Sequence, residues 1–232
     1  MLTSLSFLMR YRSVLLVVGI ALGLFETAPK AANRTTVPVA TPVLKLRLTI
    51  ANELPGISRK ALVNETESIW RDAHVQLRWL GENDGADQGP SLKVLVTHRA
   101  VVTADGHRWA VGELLRFEDS TAIAMASISA ALRIVEEGQG LRLIDLPATR
   151  QYKLGVVLGR AVAHEIGHYL LDTNTHAPYG LMRASIDARE FADLRTGAFR
   201  LDREAVAHLA ARASLGGDSL DIPGTEFSYP KD

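Results

Sequence analysis

KLGVVLGRAVAHEIGHYLL, residues 153–171, reads as one long helix with two separate faces. Leu158, Val162, Ile166 and Leu170 recur every four residues, the ridge of a helix that packs on a core. At 100° per residue His164 stands about 200° round from Val162, so the histidines point away from that ridge. A second row, Val157, Ala161, His164, His168 and Leu171, is apolar apart from its two imidazoles. Side chains four apart lie one turn apart on one side of a helix, so His164 and His168 can chelate one metal ion. The alternative is a pair of hydrogen-bonded core histidines.

Glu165 completes HExxH, and its place one residue after the first histidine suits a base acting on a metal-bound water. The chain has no Cys, so any metal is held by imidazole and carboxylate, a set that suits one Zn²⁺ per chain. A catalytic zinc takes three protein ligands and keeps one position open. The third ligand is to be found among His176, Asp172 and Glu190; the amide of Asn174 is a poor choice. His176 follows His168 by eight residues, after LLDTNT, a segment able to end the helix and turn the chain back over the metal. Asp172 reads more simply as a capping carboxylate, and Glu190 falls in a short helix, SIDAREFAD.

The stretch HEIGHYLLDTNTHAPYGLMRA, residues 164–184, resembles the zinc-binding region of the metzincin clan of metallopeptidases. The resemblance implies His164, His168 and His176 as ligands and Glu165 as general base. It also implies a tight turn at Gly180-Leu181-Met182, with Met182 a hydrophobic floor that does not bind the metal. The chain departs from HExxHxxGxxH: Leu171 holds the glycine position, Asn174 the third-ligand position, and His176 comes two residues late. The family's tyrosine after the Met-turn is replaced by Arg183 and Ala184, with Tyr179 ahead of it instead. About twenty residues carry the likeness closely, and 43–184 follow it in general order.

Outward from that helix, 43–50 alternates apolar and charged residues as a half-buried strand does, and 75–80, 92–98, 111–117 and 122–128 read as further strands. Pro55-Gly56 makes a turn, Ser58 reads as the cap of a helix bearing Leu62, Ile69, Trp70 and Ala73, and 82–91 is a turn-rich loop. Asp202 is a good N-cap for a helix to about Ala213, stapled by Leu201 and Val206, with an irregular tail from Gly216. The fold class expected is α+β: a zincin-like domain over 43–232, its mixed twisted sheet packed on helices that include the active-site helix. In such enzymes an edge strand pairs with an extended peptide; 122–128 is the candidate, the alternative being an ordinary core strand.

The whole chain of 232 residues, 47% hydrophobic and 22% charged, is long enough to bury a core without staples. Twenty-six basic residues balance 26 acidic ones, which removes the usual electrostatic footprint of nucleic-acid binding. Arg10 and Arg12 followed by thirteen uncharged, mostly apolar residues, 13–25, have the layout of a secretory signal or membrane anchor over 1–28. Three prolines and no apolar period mark 29–42 as a linker.

Together these readings predict an exported zinc metallopeptidase, secreted or membrane-anchored, acting on protein or peptide. The metal-activated water would attack with Glu165 as general base. Two alternatives differ in kind: an exported zinc-binding or interaction domain without turnover, and a structural domain whose histidines only pack.

Overall fold

The computed structural model describes residues 41–51, 53–81, 91–99, 101–102, 109–118, 121–139, 146–195 and 197–216. The export segment 1–28, nearly all of the linker, most of the loop after residue 81 and the tail beyond 216 lie outside them. Every described element falls in the compact unit Pro38–Asp232.

Five strands form one mixed sheet. In chain order they are β1 (Val43–Ile50), then α1 (Gly56–Asp72), β2 (Gln76–Leu80) and β3 (Leu92–Thr97). The small β4 (Val101–Val102) and β5 (Trp109–Ala110) pair antiparallel with each other as a separate ribbon. β6 (Gly112–Arg116) and β7 (Ala122–Ser127) return to the main sheet, whose order is β2-β1-β3-β7-β6. β2, β1, β3 and β7 run parallel, and β6 is antiparallel to β7 with Leu114 opposite Ala124 and Gly112 opposite Ala126. The strand at 122–128 therefore lies inside the sheet, not at its edge. The edges are β2 and, on this side, β6, which runs back along β7 while β7 takes β3 on its other side.

The helices are α2 (Ile128–Gln139), α3 (Pro147–Leu171), α4 (Ala188–Ala192) and α5 (Arg203–Gly216). α2 starts where the sequence suggested only the end of a strand: Ser127 Oγ accepts the Ala130 N–H at 3.2 Å, an N-cap, and Ile128, Ala131 and Val135 form its buried stripe. α3 begins six residues before residue 153, where the sequence reading starts it, with Pro147 in its first turn, where a missing N–H costs nothing. The ridge Leu158, Val162, Ile166 and Leu170 is buried, as are Leu46, Val94 and Trp70.

α1 and α3 pack tightly. A Cβ on Gly159 would lie 2.7 Å from the Leu62 carbonyl oxygen, and Thr66 Oγ1 donates within 2.9 Å of that oxygen and 3.1 Å of the Gly159 oxygen. Ser58 belongs to this contact and not to a cap. Pro55 precedes α1, and Ser58, one turn inside, donates its hydroxyl to the Gln151 carbonyl of α3 at 2.7 Å. The Asp202 cap forms as the sequence indicates, its Oδ1 accepting Ala205 N–H at 2.7 Å, and α5 continues three residues past Ala213. Among the described residues no helix is long and apolar enough to cross a membrane.

Candidate metal centre

α3 presents His164 and His168 from adjacent turns, and the loop that follows brings His176 to meet them. One nitrogen from each ring lies within 4.8 Å of the others. The ring centroids are 4.7 Å (His164 to His168), 4.9 Å (His168 to His176) and 5.4 Å (His164 to His176) apart.

Two backbone carbonyls fix the orientation of the helical pair. His164 Nδ1 donates to the Leu181 oxygen at 2.8 Å, and His168 Nδ1 to the Thr173 oxygen at 2.7 Å. A neutral imidazole carries one proton; with it on Nδ1, Nε2 is a bare lone pair. The two Nε2 atoms face each other at 3.0 Å. Two lone pairs at that separation repel unless a cation lies between them, so the donor set fits a metal ion held through Nε2. Burial first, then the neighbouring His168 and His176, lowers the His164 pKa to about 4, against the Leu181 hydrogen bond that raises it. Burial likewise lowers that of His168. Both rings therefore stay neutral, the ligating form, near neutral pH.

Glu165 points to the other wall of the same cavity, against β6. It is 5% exposed, and a Cβ on Gly112 would come within 2.6 Å of its Oε1. Burial raises its pKa to about 8, with the charge of Glu113 adding to the shift and a hydrogen bond from the Leu114 backbone opposing it. A cation at the histidines would favour its ionised form again.

The cavity has a volume of about 460 Å³. His164, Glu165, His168, His176 and Arg183 are among its polar lining, and Leu114, Ile134, Ala161, Ile186 and Phe191 form an apolar side.

The other two carboxylates weighed as ligands are engaged elsewhere. Asp172 caps α3 in the left-handed conformation and pairs with Arg116, Nη1 to Oδ1, at 3.0 Å. Glu190 forms a two-pronged ion pair with Arg183. Met182 lies under α3 against Gly167, where a Cβ would collide with its sulfur, in a turn fixed by Ala177 N–H to the Met182 oxygen at 2.8 Å. Tyr179 is 64% exposed.

Gly112, Arg116 and, Ala161 aside, the apolar side of the cavity are absent from the residues singled out by sequence. Gly112 carried a signal: a glycine at the head of the strand GELLR marks a close approach to its backbone. Arg116, 52 residues from His168, carried none.

No family model matches the chain, and no curated protein matches it. Among solved structures it is similar to archaemetzincin from Methanopyrus kandleri, with 16% identity over 77% of this chain and 99% of that one and a TM-score of 0.46. It is also similar to the GM1-bound form of the ECX AB5 holotoxin, with 11% identity over 66% of this chain and 71% of that one and a TM-score of 0.37. At such superpositions the functional reading rests on the site's own geometry.

Proposed function

We propose that the chain is a zinc-dependent metallopeptidase that hydrolyses peptide bonds, with His164, His168 and His176 as ligands and Glu165 as general base. The observation that carries this reading is the pair of Nε2 atoms 3.0 Å apart, each freed for a cation by a carbonyl on its Nδ1, with His176 alongside. Zinc, when bound, supplies a Lewis acid and makes a coordinated water acidic. Glu165 accepts the proton of the attacking water and returns it to the leaving amine. A cation held by the neighbouring histidines would offset the burial that otherwise keeps this carboxyl protonated, leaving it ionised to accept that proton.

A peptide substrate is supported by the position of β6. As a sheet edge next to the histidines it offers backbone groups to an extended chain, and the apolar side of the cavity accepts a side chain. Met182 beneath α3 and the turn from Gly180 support a metzincin-like reading of 164–184. The basic pair and apolar run at 10–25 support action outside the cytoplasm.

The test is zinc per chain by elemental analysis, together with cleavage of a peptide library. One zinc, and a Glu165→Ala variant that retains it while losing about 10²–10⁴ of the rate, is the expected result. A fully active Glu165→Ala enzyme overturns the mechanism. A loaded protein that cleaves nothing, and that unfolds when zinc is removed, favours a closed structural site.

A further inference from the structure

We propose that Arg116 is a positioning residue for the metal site: it holds the turn after α3 in the shape that orients His168 and delivers His176. The inference rests on the zinc reading above and concerns only this chain's own residues.

Arg116 is the last residue of β6. Its Nη2 donates to the His168 carbonyl oxygen at 2.9 Å, and its Nη1 lies 3.0 Å from Asp172 Oδ1. It thus grips both ends of the final turn of α3 at once. Asp172 there has φ 51° and ψ 48°, the left-handed conformation in which many helices end, one that glycine adopts freely and aspartate at a small cost. Asp172 Oδ1 is buried and has no hydrogen-bond partner among the described residues, so Arg116 is the counter-charge that keeps this carboxylate folded in.

The left-handed turn has a direct consequence for the site. It reverses the chain so that the next carbonyl, that of Thr173, points back at His168 Nδ1 and accepts a hydrogen bond from it. Thr173 N–H meanwhile returns to the His168 oxygen at 3.3 Å, closing a ring that passes through Arg116, Asp172, Thr173 and the imidazole. From Thr173 the chain reaches His176 in three residues, with Thr175 N–H bonded to Thr173 Oγ1 at 3.1 Å. Asn174, Thr175 and His176 are exposed, so no apolar burial fixes this stretch. Besides the Thr173 hydrogen bonds to His168, it is held by the Arg116 grip at one end and the Ala177–Met182 hydrogen bond at the other. Loss of the grip loosens two of the three imidazoles and leaves His164, held by Leu181, as it was.

The test is zinc affinity of the full chain, by competition with a chromophoric chelator well below the unfolding temperature. Arg116→Ala is expected to weaken zinc about 10- to 100-fold, the range for residues that orient metal ligands. Asp172→Gly adopts the left-handed turn without help, so it should keep affinity within about threefold of wild type, and Arg116→Ala added to Asp172→Gly should recover most of what Arg116→Ala alone loses. A general loss of stability would not be rescued in that way. Should Arg116→Ala not fold, Arg116→Lys keeps the charge but cannot reach both partners, and should also bind more weakly. Wild-type affinity in Arg116→Ala or in Arg116→Lys, or no rescue by Asp172→Gly, overturns the proposal and leaves the zinc site standing. Wild-type protein that binds no zinc overturns both.

Discussion

The carboxylate of Glu165 occupies the space that a side chain at Gly112 would fill. A Cβ there would lie 2.6 Å from Oε1, 3.0 Å from Cγ and 3.2 Å from Cδ. The absence of a side chain on the edge strand thus makes room for the proposed base, and the Leu114 backbone hydrogen bond then steadies it.

Gly112→Ala is accordingly expected to displace Glu165 while leaving the imidazoles in place. Zinc content should be unchanged, and peptidase kcat should fall by at least tenfold, since a shift of about 1 Å can cost a hundredfold. Overpacking should cost about 1–3 kcal/mol of stability. Elemental analysis alongside kinetics checks it; loss of zinc with the activity would show that β6 supports the histidines as well.

The pH dependence of the zinc-free protein sets Glu165 against the buried histidines, His164 and, shifted in the same direction, His168. Glu165 titrates near 8 when folded and near 4.5 when unfolded, so from pH 4.5 to 8 the folded state binds the extra proton and stability falls as pH rises. His164 titrates near 4 when folded and 6.5 when unfolded, so from pH 6.5 down to 4 the unfolded state binds more protons and stability falls as pH drops. Above pH 6.5 the Glu165 contribution acts without that opposition. Glu165→Gln should remove the decline and stabilise the zinc-free protein at pH 8 by roughly 2–4 kcal/mol relative to wild type. Urea unfolding in chelator at pH 6 and pH 8 measures it, and equal slopes for the two proteins would refute it.

What the sequence revealed about this site divides along the distance between partners. HExxH is readable because its geometry is contained in one helix, and the ridge Leu158 to Leu170 is readable because burial repeats every turn. His176 was within reach for the same reason, eight residues away in the chain. The edge strand was not, because strand order depends on which distant segments pair, and small residues at 122–127 suit an interior strand as well as an edge. α2 was missed because SISA continues the small-residue pattern of β7, so Ser127 reads as strand until its hydroxyl is seen capping Ala130. At Ser58 a local expectation lost to a tertiary partner 93 residues on, the Gln151 carbonyl.

Gly167 and Met182 form a second close approach below the histidines. A methyl group at Gly167 would meet Sδ of Met182, with Cε 3.0 Å away. Gly167→Ala should therefore destabilise by about 1–3 kcal/mol and shift the turn whose Leu181 oxygen orients His164. Methionine is flexible enough to yield in part, so pairing Gly167→Ala with Met182→Ala should recover stability that either change alone forfeits. Thermal unfolding of the two single variants and the double variant tests this coupling; additive losses would show that the contact is not the cause.

Arg160 is fully buried, and Glu65 Oε1 lies 2.8 Å from its Nε as the carboxylate in contact with it among the described residues. Nη1 donates to the Phe191 oxygen at 2.8 Å, the guanidinium lies 4.1 Å from the Phe199 ring centroid, and Nη2 has no hydrogen-bond partner among the described residues. The group ties α1, α3, α4 and the chain before α5 together, and Phe191 carries part of the apolar side of the cavity. Removing one partner of a buried pair leaves a charge without compensation, whereas replacing both with apolar groups of similar size removes the desolvation cost as well. Glu65→Ala should thus cost about 3–5 kcal/mol, and Arg160→Met combined with Glu65→Leu distinctly less. Urea denaturation of both variants decides it. A double variant as unstable as Glu65→Ala would mean that the hydrogen bond to Phe191 and the stacking on Phe199, not the ion pair, hold this corner of the fold.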